Sequence, residues 1–226
     1  MWVFKLANLA GGAVSEQVRI GKGNNNNVRS NCLENKYNRV ISRKLTNDWS
    51  GGKFRCLYFN ARSIISLGKR TELEMYVKSI DPICIGITET WTKSEIDDSE
   101  LDLKGYTMFR KDRENQKTRG HGAGGVLLYV KEELHATERI DIKDEKFRES
   151  IWCEIKYEKQ KVLIGVCYRT PDSTEDINNG LCKLVGKVSK ERTVIMGDFN
   201  YHIDWNNLEA ERPQDKVFME CINDNF

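Results

Sequence analysis

A β-branched, apolar run, Thr193-Val194-Ile195-Met196, ends in Gly197-Asp198-Phe199-Asn200. It reads as a buried strand that stops at a tight turn. Side chains alternate along an extended chain, so Asp198 and Asn200 are expected to point the same way and Phe199 into the body. A carboxylate and an amide then stand side by side at a strand end, where reacting groups are commonly presented. Gly, Asp and Asn are also the commonest turn residues, so the choice between turn and site falls to the rest of the chain.

Other apolar runs also end in polar groups. Phe54 to Phe59 reads as a strand ending at Asn60. A helix is expected from Thr71, where Thr71 and Glu74 have capping-box spacing and Leu73, Val77 and Ile80 recur at helical intervals; Asp81-Pro82 stops it. Ile83 to Thr88 has the length of a buried strand and ends at Glu89-Thr90-Trp91. Tyr106 to Phe109 reads as a short strand, and Val126 to Val130 as a strand entered through Gly124-Gly125. Ile151–Tyr157 and Lys161–Tyr168 are separated by a short polar turn and form a hairpin. The second ends at Tyr168-Arg169-Thr170-Pro171. Helices follow from Thr174 (Ile177, Leu181, Leu184, Val185, Val188 on one face) and after Pro213 (Val217, Phe218, Cys221, Ile222). Strands in adjacent pairs with few helices predict a layered α+β fold with mainly antiparallel sheets, not a doubly wound parallel one.

The 226 residues suffice for one domain with an appendage. Residues 1–52, with four consecutive asparagines and apolar residues in no period, read as a disordered or weakly structured tail; the domain is expected over 53–226. The formal charge is only +2, so contacts to a polyanion must be local. The loop with Arg110, Arg113 and Arg119, together with Arg169, is the expected nucleic-acid contact. The seven cysteines form no C-x-x-C pair, and Cys56, Cys84, Cys153 and Cys167 sit in apolar runs. This points to a reducing compartment, nucleus or cytoplasm, with no disulfide partner and no structural zinc. No stretch approaches the roughly 20 apolar residues of a membrane span, and the N-terminus lacks a secretory pattern.

Asn60, Glu89, Tyr168 and the pair Asp198 and Asn200 thus stand at four strand ends. If those ends share one edge, the groups converge. Glu89 would hold a hard divalent ion, Mg²⁺ with Mn²⁺ as the alternate, since Mg²⁺ takes few protein carboxylates and keeps waters and substrate phosphate. Asp198 would orient or deprotonate an attacking water. Asn60, Asn200 and Tyr168 would donate to phosphate oxygens as charge builds on them.

The ordered set Asn60-Ala61-Arg62-Ser63-Ile64, Ile87-Thr88-Glu89-Thr90-Trp91, Gly124-Gly125-Val126-Leu127-Leu128-Tyr129-Val130, Tyr168-Arg169-Thr170-Pro171 and Gly197-Asp198-Phe199-Asn200 resembles the endonuclease/exonuclease/phosphatase superfamily with its DNase I-like fold. The nearest resemblance is to the endonuclease domain of non-LTR (LINE/jockey-like) retrotransposon proteins. It implies a four-layered sandwich, two β-sheets face to face with helices outside, and Mg²⁺-dependent phosphodiester hydrolysis that nicks DNA. It implies Glu89 as metal ligand with Asn60 beside it, Tyr168 facing the phosphate, Asp198 positioning the water and Asn200 holding the scissile phosphate. Two departures are visible. Tyr168-Arg169-Thr170-Pro171-Asp172 replaces the family's Tyr-x-Pro-Asn, and Asp172 cannot donate as an asparagine would. The family's C-terminal Ser-Asp-His is not reached by Phe226, so the domain is expected to be truncated with its last strands missing. His202 reads as a loop residue, and His121 and His135 as surface residues. The alternatives are a catalytically inactive remnant that at most binds nucleic acid or a partner, and a phosphatase acting on a phosphoinositide or small phosphate ester.

Overall fold

The computed structural model describes residues 3–9, 12–18, 40–41, 54–113, 124–205 and 207–226. In chain order these form β1 (Val3–Leu9), β2 (Gly12–Val18), β3 (Val40–Ile41), β4 (Cys56–Asn60), α1 (Leu67–Ile80), β5 (Cys84–Thr88), β6 (Tyr106–Lys111), β7 (Val126–Lys131), β8 (Thr137–Glu138), β9 (Ser150–Tyr157), β10 (Gln160–Tyr168), α2 (Glu175–Val188), β11 (Thr193–Asp198), β12 (Ile203–Asp204), β13 (Glu209–Ala210) and α3 (Pro213–Asn225). One sheet runs β3-β4-β5-β7-β6 and the other β2-β1-β11-β10-β9-β8; β12 and β13 make a small ribbon.

The strand pairs β4–β5 and β10–β11 are parallel, and the other pairings among the described residues are antiparallel. Each parallel pair is joined by a helix, α1 in the first and α2 in the second, as a parallel connection requires. The expected α+β class with mainly antiparallel sheets is what the chain adopts.

Period-2 alternation builds the layers. In β10, Val162, Ile164, Val166 and Tyr168 enter the central core with Cys56, Tyr58, Val126 and Leu128 of the facing sheet. Leu163 and Cys167 point the other way, against Leu181, Leu184 and Val185 of α2 and Phe218 and Ile222 of α3. On the outer face of the first sheet, Leu57, Ile85, Ile87 and Leu127 pack on Leu73 and Val77 of α1. The order is therefore helix, sheet, sheet, helices. The two helical layers are not equal. A fully buried aliphatic side chain contributes about 1.5–3 kcal/mol. α2 buries Leu181, Leu184, Val185 and Val188, against only Leu73 and Val77 in α1, so α2 is the more firmly seated.

Three local expectations are corrected. α1 begins at Leu67, not Thr71: Ser66 caps it by accepting from the Lys69 amide, so the Thr71–Glu74 spacing falls inside the helix. In α3, Val217 is exposed, and Asp215, Phe218 and Ile222 form the buried face. Within residues 1–52, read as a tail, β1 pairs with β11 and with β2, and β3 pairs with β4. β1 and β2 pair antiparallel from Val3↔Val18 to Leu9↔Gly12. The rest of those 52 residues lie outside the described set.

Candidate active site

Parallel pairing places the ends of β4 and β5 on one edge of the first sheet, and those of β10 and β11 on one edge of the second. Face-to-face stacking brings the two edges together. Asn60 Nδ2 donates to Glu89 Oε1 at 2.6 Å and to Asp198 Oδ2 at 3.0 Å. Tyr168 Oη donates to Glu89 Oε1 at 3.1 Å. One amide, one phenol and two carboxylates from four strand ends are thus a single hydrogen-bonded group. Asn200 joins differently. Its backbone takes a left-handed turn (φ 50°), so strict alternation stops at Asp198. Its N–H donates to Asp198 Oδ1 at 3.3 Å, and its Nδ2 to the Arg169 carbonyl at 2.6 Å. Phe199 points into the body and is buried.

Burial pushes the Asp198 carboxyl up, the Glu89 charge adds to the rise, and the bonds from Asn60 and the Asn200 N–H oppose it. Burial, then the neighbouring Glu89 carboxylate, pushes the Tyr168 phenol up, so it remains a donor. Tyr58, hydrogen-bonded to Thr88 at 2.7 Å beneath the site, shifts the same way by burial and the charge of Asp198.

The loops that present these groups are strained and braced. Arg62 and Ser63 have φ of 44° and 82°, and Glu89 and Trp91 of 51° and 58°, values that cost energy for non-glycine residues. The Lys69 ammonium offsets this in the first loop by donating to the carbonyls of Ala61, Arg62 and Ser63 at 2.9, 2.8 and 2.7 Å. In the second, Thr90 and Thr92 share a hydroxyl bond of 2.9 Å, and Thr92 donates to Asp112 at 2.7 Å. Gly197 is demanded by packing: a Cβ there would run into the Cys167 carbonyl oxygen.

The expected basic contacts fare unevenly. Arg169 is fully buried and bonds only to protein groups, so it is not a nucleic-acid contact. Arg110 is spent on Asp98, Asp112 and the Lys93 and Ile96 carbonyls. Arg113 is paired with Glu149 and lies over the Tyr168 ring, 5.7 Å from its centroid, at the rim of the site. Arg119 and His121 lie outside the described residues. His202 and His135 are exposed, and no histidine among the described residues hydrogen-bonds to the cluster. A groove of 820 Å³ opens beside Tyr168 and Arg113, its wall carrying the exposed Lys143 and Lys146 interleaved with Asp144 and Glu145. Sequence reasoning missed Lys69, and it missed Arg62, which is exposed one residue past Ala61.

No cluster of three or more His, Cys, Asp or Glu stands ready as a metal cage among the described residues. The donors present are hard oxygens, the Glu89 and Asp198 carboxylates, with the Asn60 amide nitrogen bridging them and its oxygen turned to the Arg62 N–H. That set fits an ion such as Mg²⁺, which accepts one or two carboxylates and keeps its waters. No helix among the described residues is long and apolar enough to cross a membrane.

Comparison with solved structures shows the same fold at low identity. The endonuclease domain of TRAS1, a telomere-specific non-LTR retrotransposon, superposes with a TM-score of 0.54 at 13% identity, covering 76% of this chain and 70% of that one. The AP endonuclease LMAP from Leishmania major gives 0.56 at 13%, covering 74% and 65%. An AP endonuclease from Archaeoglobus fulgidus gives 0.50 at 14%, covering 75% and 69%. A search of curated proteins returned no significant match. The model of the Endonuclease/Exonuclease/phosphatase family matches residues 57–214, a span that contains every group of the hydrogen-bonded cluster, and the chain belongs to that family of hydrolases.

Proposed function

We propose that this chain is a divalent-metal-dependent DNA-nicking endonuclease of retroelement descent. The observation that carries the reading is the bonded cluster of Asn60, Glu89, Tyr168 and Asp198, drawn from four strand ends where the edges of the two sheets meet. The fold shared with the TRAS1 endonuclease domain and the ordered motif set support the descent.

Glu89, with Asn60, would hold Mg²⁺, which supplies electrostatic stabilisation of the phosphoryl oxygens. Asp198, its carboxyl raised by burial, is suited to hold the attacking water and accept its proton. Asn60 spans both carboxylates and fixes their separation. Tyr168 keeps its proton, which it gives to Glu89 here and would turn to a phosphate oxygen once that carboxylate holds the ion. Asn200 is aimed by the Arg169 carbonyl, which leaves its second amide N–H for a phosphate oxygen. Arg62 and the groove wall at Lys143 and Lys146 would take flanking phosphates. Such contacts fix register without reading sequence.

The test is relaxation of supercoiled plasmid with Mg²⁺ and with EDTA, beside Asp198→Ala and Glu89→Gln. Mg²⁺-dependent nicking that disappears in both variants is expected. Folded protein that leaves the plasmid intact but hydrolyses a soluble phosphate ester would instead favour the phosphatase reading, and folded protein inert on both would favour a remnant.

A further inference from the structure

Arg169 is the largest fully buried side chain among the described residues, and its contacts converge on the loop after β11. Nη1 donates to the carbonyls of Phe199 and Asn200, both at 3.1 Å. Nε donates to Asn178 Oδ1 of α2 at 2.6 Å, and that same oxygen accepts from Tyr201 Oη at 3.0 Å. The guanidinium lies 4.0 Å from the centroid of the Tyr201 ring. Tyr201 in turn stacks on Phe218 of α3, with centroids 4.2 Å apart.

The main chain of Arg169 is in the same circuit. Its N–H donates to the Asp198 carbonyl at 2.9 Å, and its carbonyl receives Asn200 Nδ2 at 2.6 Å. One residue therefore grips the 198–200 segment from both main chain and side chain. It is also the residue next to Tyr168, so it ties the two strand ends of the second sheet together. On the α3 side, Asp215 is fully buried and accepts from the His202 N–H at 3.2 Å. Among the described residues, Arg169 Nη2 and Asp215 Oδ1 are both buried without a hydrogen-bond partner. A buried cation left with spare donor capacity is costly to retain for packing alone, since an apolar residue of similar volume usually does as well.

We propose that Arg169 is a positioning residue for the hydrolytic reaction: it sets the height and orientation of Asp198 and Asn200 relative to Tyr168, without touching substrate. This rests on the reading of Asp198 and Asn200 as reacting groups. The planar fork matters, because Asn178 is reached through Nε and the two carbonyls through Nη1, and a lysine ammonium offers only one point from which to donate.

The experiment compares wild type, Arg169→Lys and Asn178→Ala by plasmid-nicking kinetics and by amide hydrogen exchange of residues 198–203. A displacement of about 1 Å at a reacting group costs up to about 10²-fold. Arg169→Lys is therefore expected to lower kcat about 10- to 100-fold with KM within about threefold. Exchange should quicken at 199–202 while β9 and β10 stay protected. Asn178→Ala should show the same pattern more weakly, which covers the case in which Arg169→Lys fails to fold. Wild-type kcat and unchanged exchange in a folded variant would overturn the proposal, as would a loss of kcat that only tracks the unfolded fraction. If wild type itself does not nick, the functional reading falls, and the exchange pattern alone decides whether Arg169 holds this loop.

Discussion

Asn60 and Asp198 stand 138 positions apart in the chain and share a hydrogen bond of 3.0 Å. The same Nδ2 reaches Glu89 at 2.6 Å. An amide is the one small side chain that can donate to two carboxylates at once and keep an oxygen for another partner, here the Arg62 N–H at 3.2 Å.

Asn60→Asp would replace that donor with a third carboxylate. Two like charges lose the bridge between them and gain a neighbour that repels both. Nicking is expected to fall by about 10²-fold or more, the scale for loss of one positioned donor, with the fold retained. Steady-state plasmid relaxation checks it, and activity within threefold of wild type would remove Asn60 from the site.

Lys69→Met should loosen the loop after β4. Three carbonyls would lose a common cation, and hydrogen bonds to a charged group are worth about 1.5–3 kcal/mol each at most. A net loss of about 1–3 kcal/mol by urea denaturation is expected, because the freed carbonyls can meet water. Arginine should not rescue it, since a flat guanidinium cannot converge on three oxygens that wrap one point. Full stability in Lys69→Arg would show that charge alone suffices.

Gly197→Ala tests the closeness of β10 and β11 at the site. The added methyl meets the Cys167 carbonyl oxygen, a backbone atom that cannot swing away. Overpacking of this kind costs about 1–3 kcal/mol, and the strain falls one residue from Asp198. Both the thermal midpoint and nicking should drop. A variant that kept its midpoint would mean that the strands can part at little cost.

Acid should release the loop behind Glu89. Burial pulls the Asp112 carboxyl upward, but the bonds from Arg110 and Thr92 together outweigh it, and the folded value lies below the ordinary 3.8. A lowered folded value means that stability is fully present above 3.8 and is lost as pH falls through the folded value. Between pH 5 and pH 2.5, wild type should lose more stability than Asp112→Asn, measured by denaturant midpoints at each pH. Equal losses would show that this carboxylate is not held.

The strands were legible because alternation and β-branching are local properties, and so was the convergence of Asn60, Glu89, Tyr168 and Asp198, since each stands at the end of an apolar run. The direction of Arg169 was misread, because its basic type suggests a nucleic-acid contact, whereas the side chain is buried. Tyr168 faces the central core, so the next residue must face the α2 layer, and a basic type says nothing against that. Lys69 was hidden for another reason. It acts on residues six to eight positions earlier, across a loop whose left-handed turns no propensity foretells. The β1–β2 pair was obscured by the polar composition around it. Asp215 lies on a helix face that reads as amphipathic through Phe218 and Ile222, and only tertiary packing shows that a carboxylate shares it.

The chain carries the same unit twice. Strand, helix, parallel strand occurs as β4-α1-β5 and again as β10-α2-β11, with one unit on each side of the central core. Glu89 follows the first and Asp198 closes the second. Neither half owns a reaction centre. Asn60 bridges the two carboxylates only when the halves are in register, so the cluster is a property of their junction, and any slip of one sheet over the other dissolves it while leaving both halves intact.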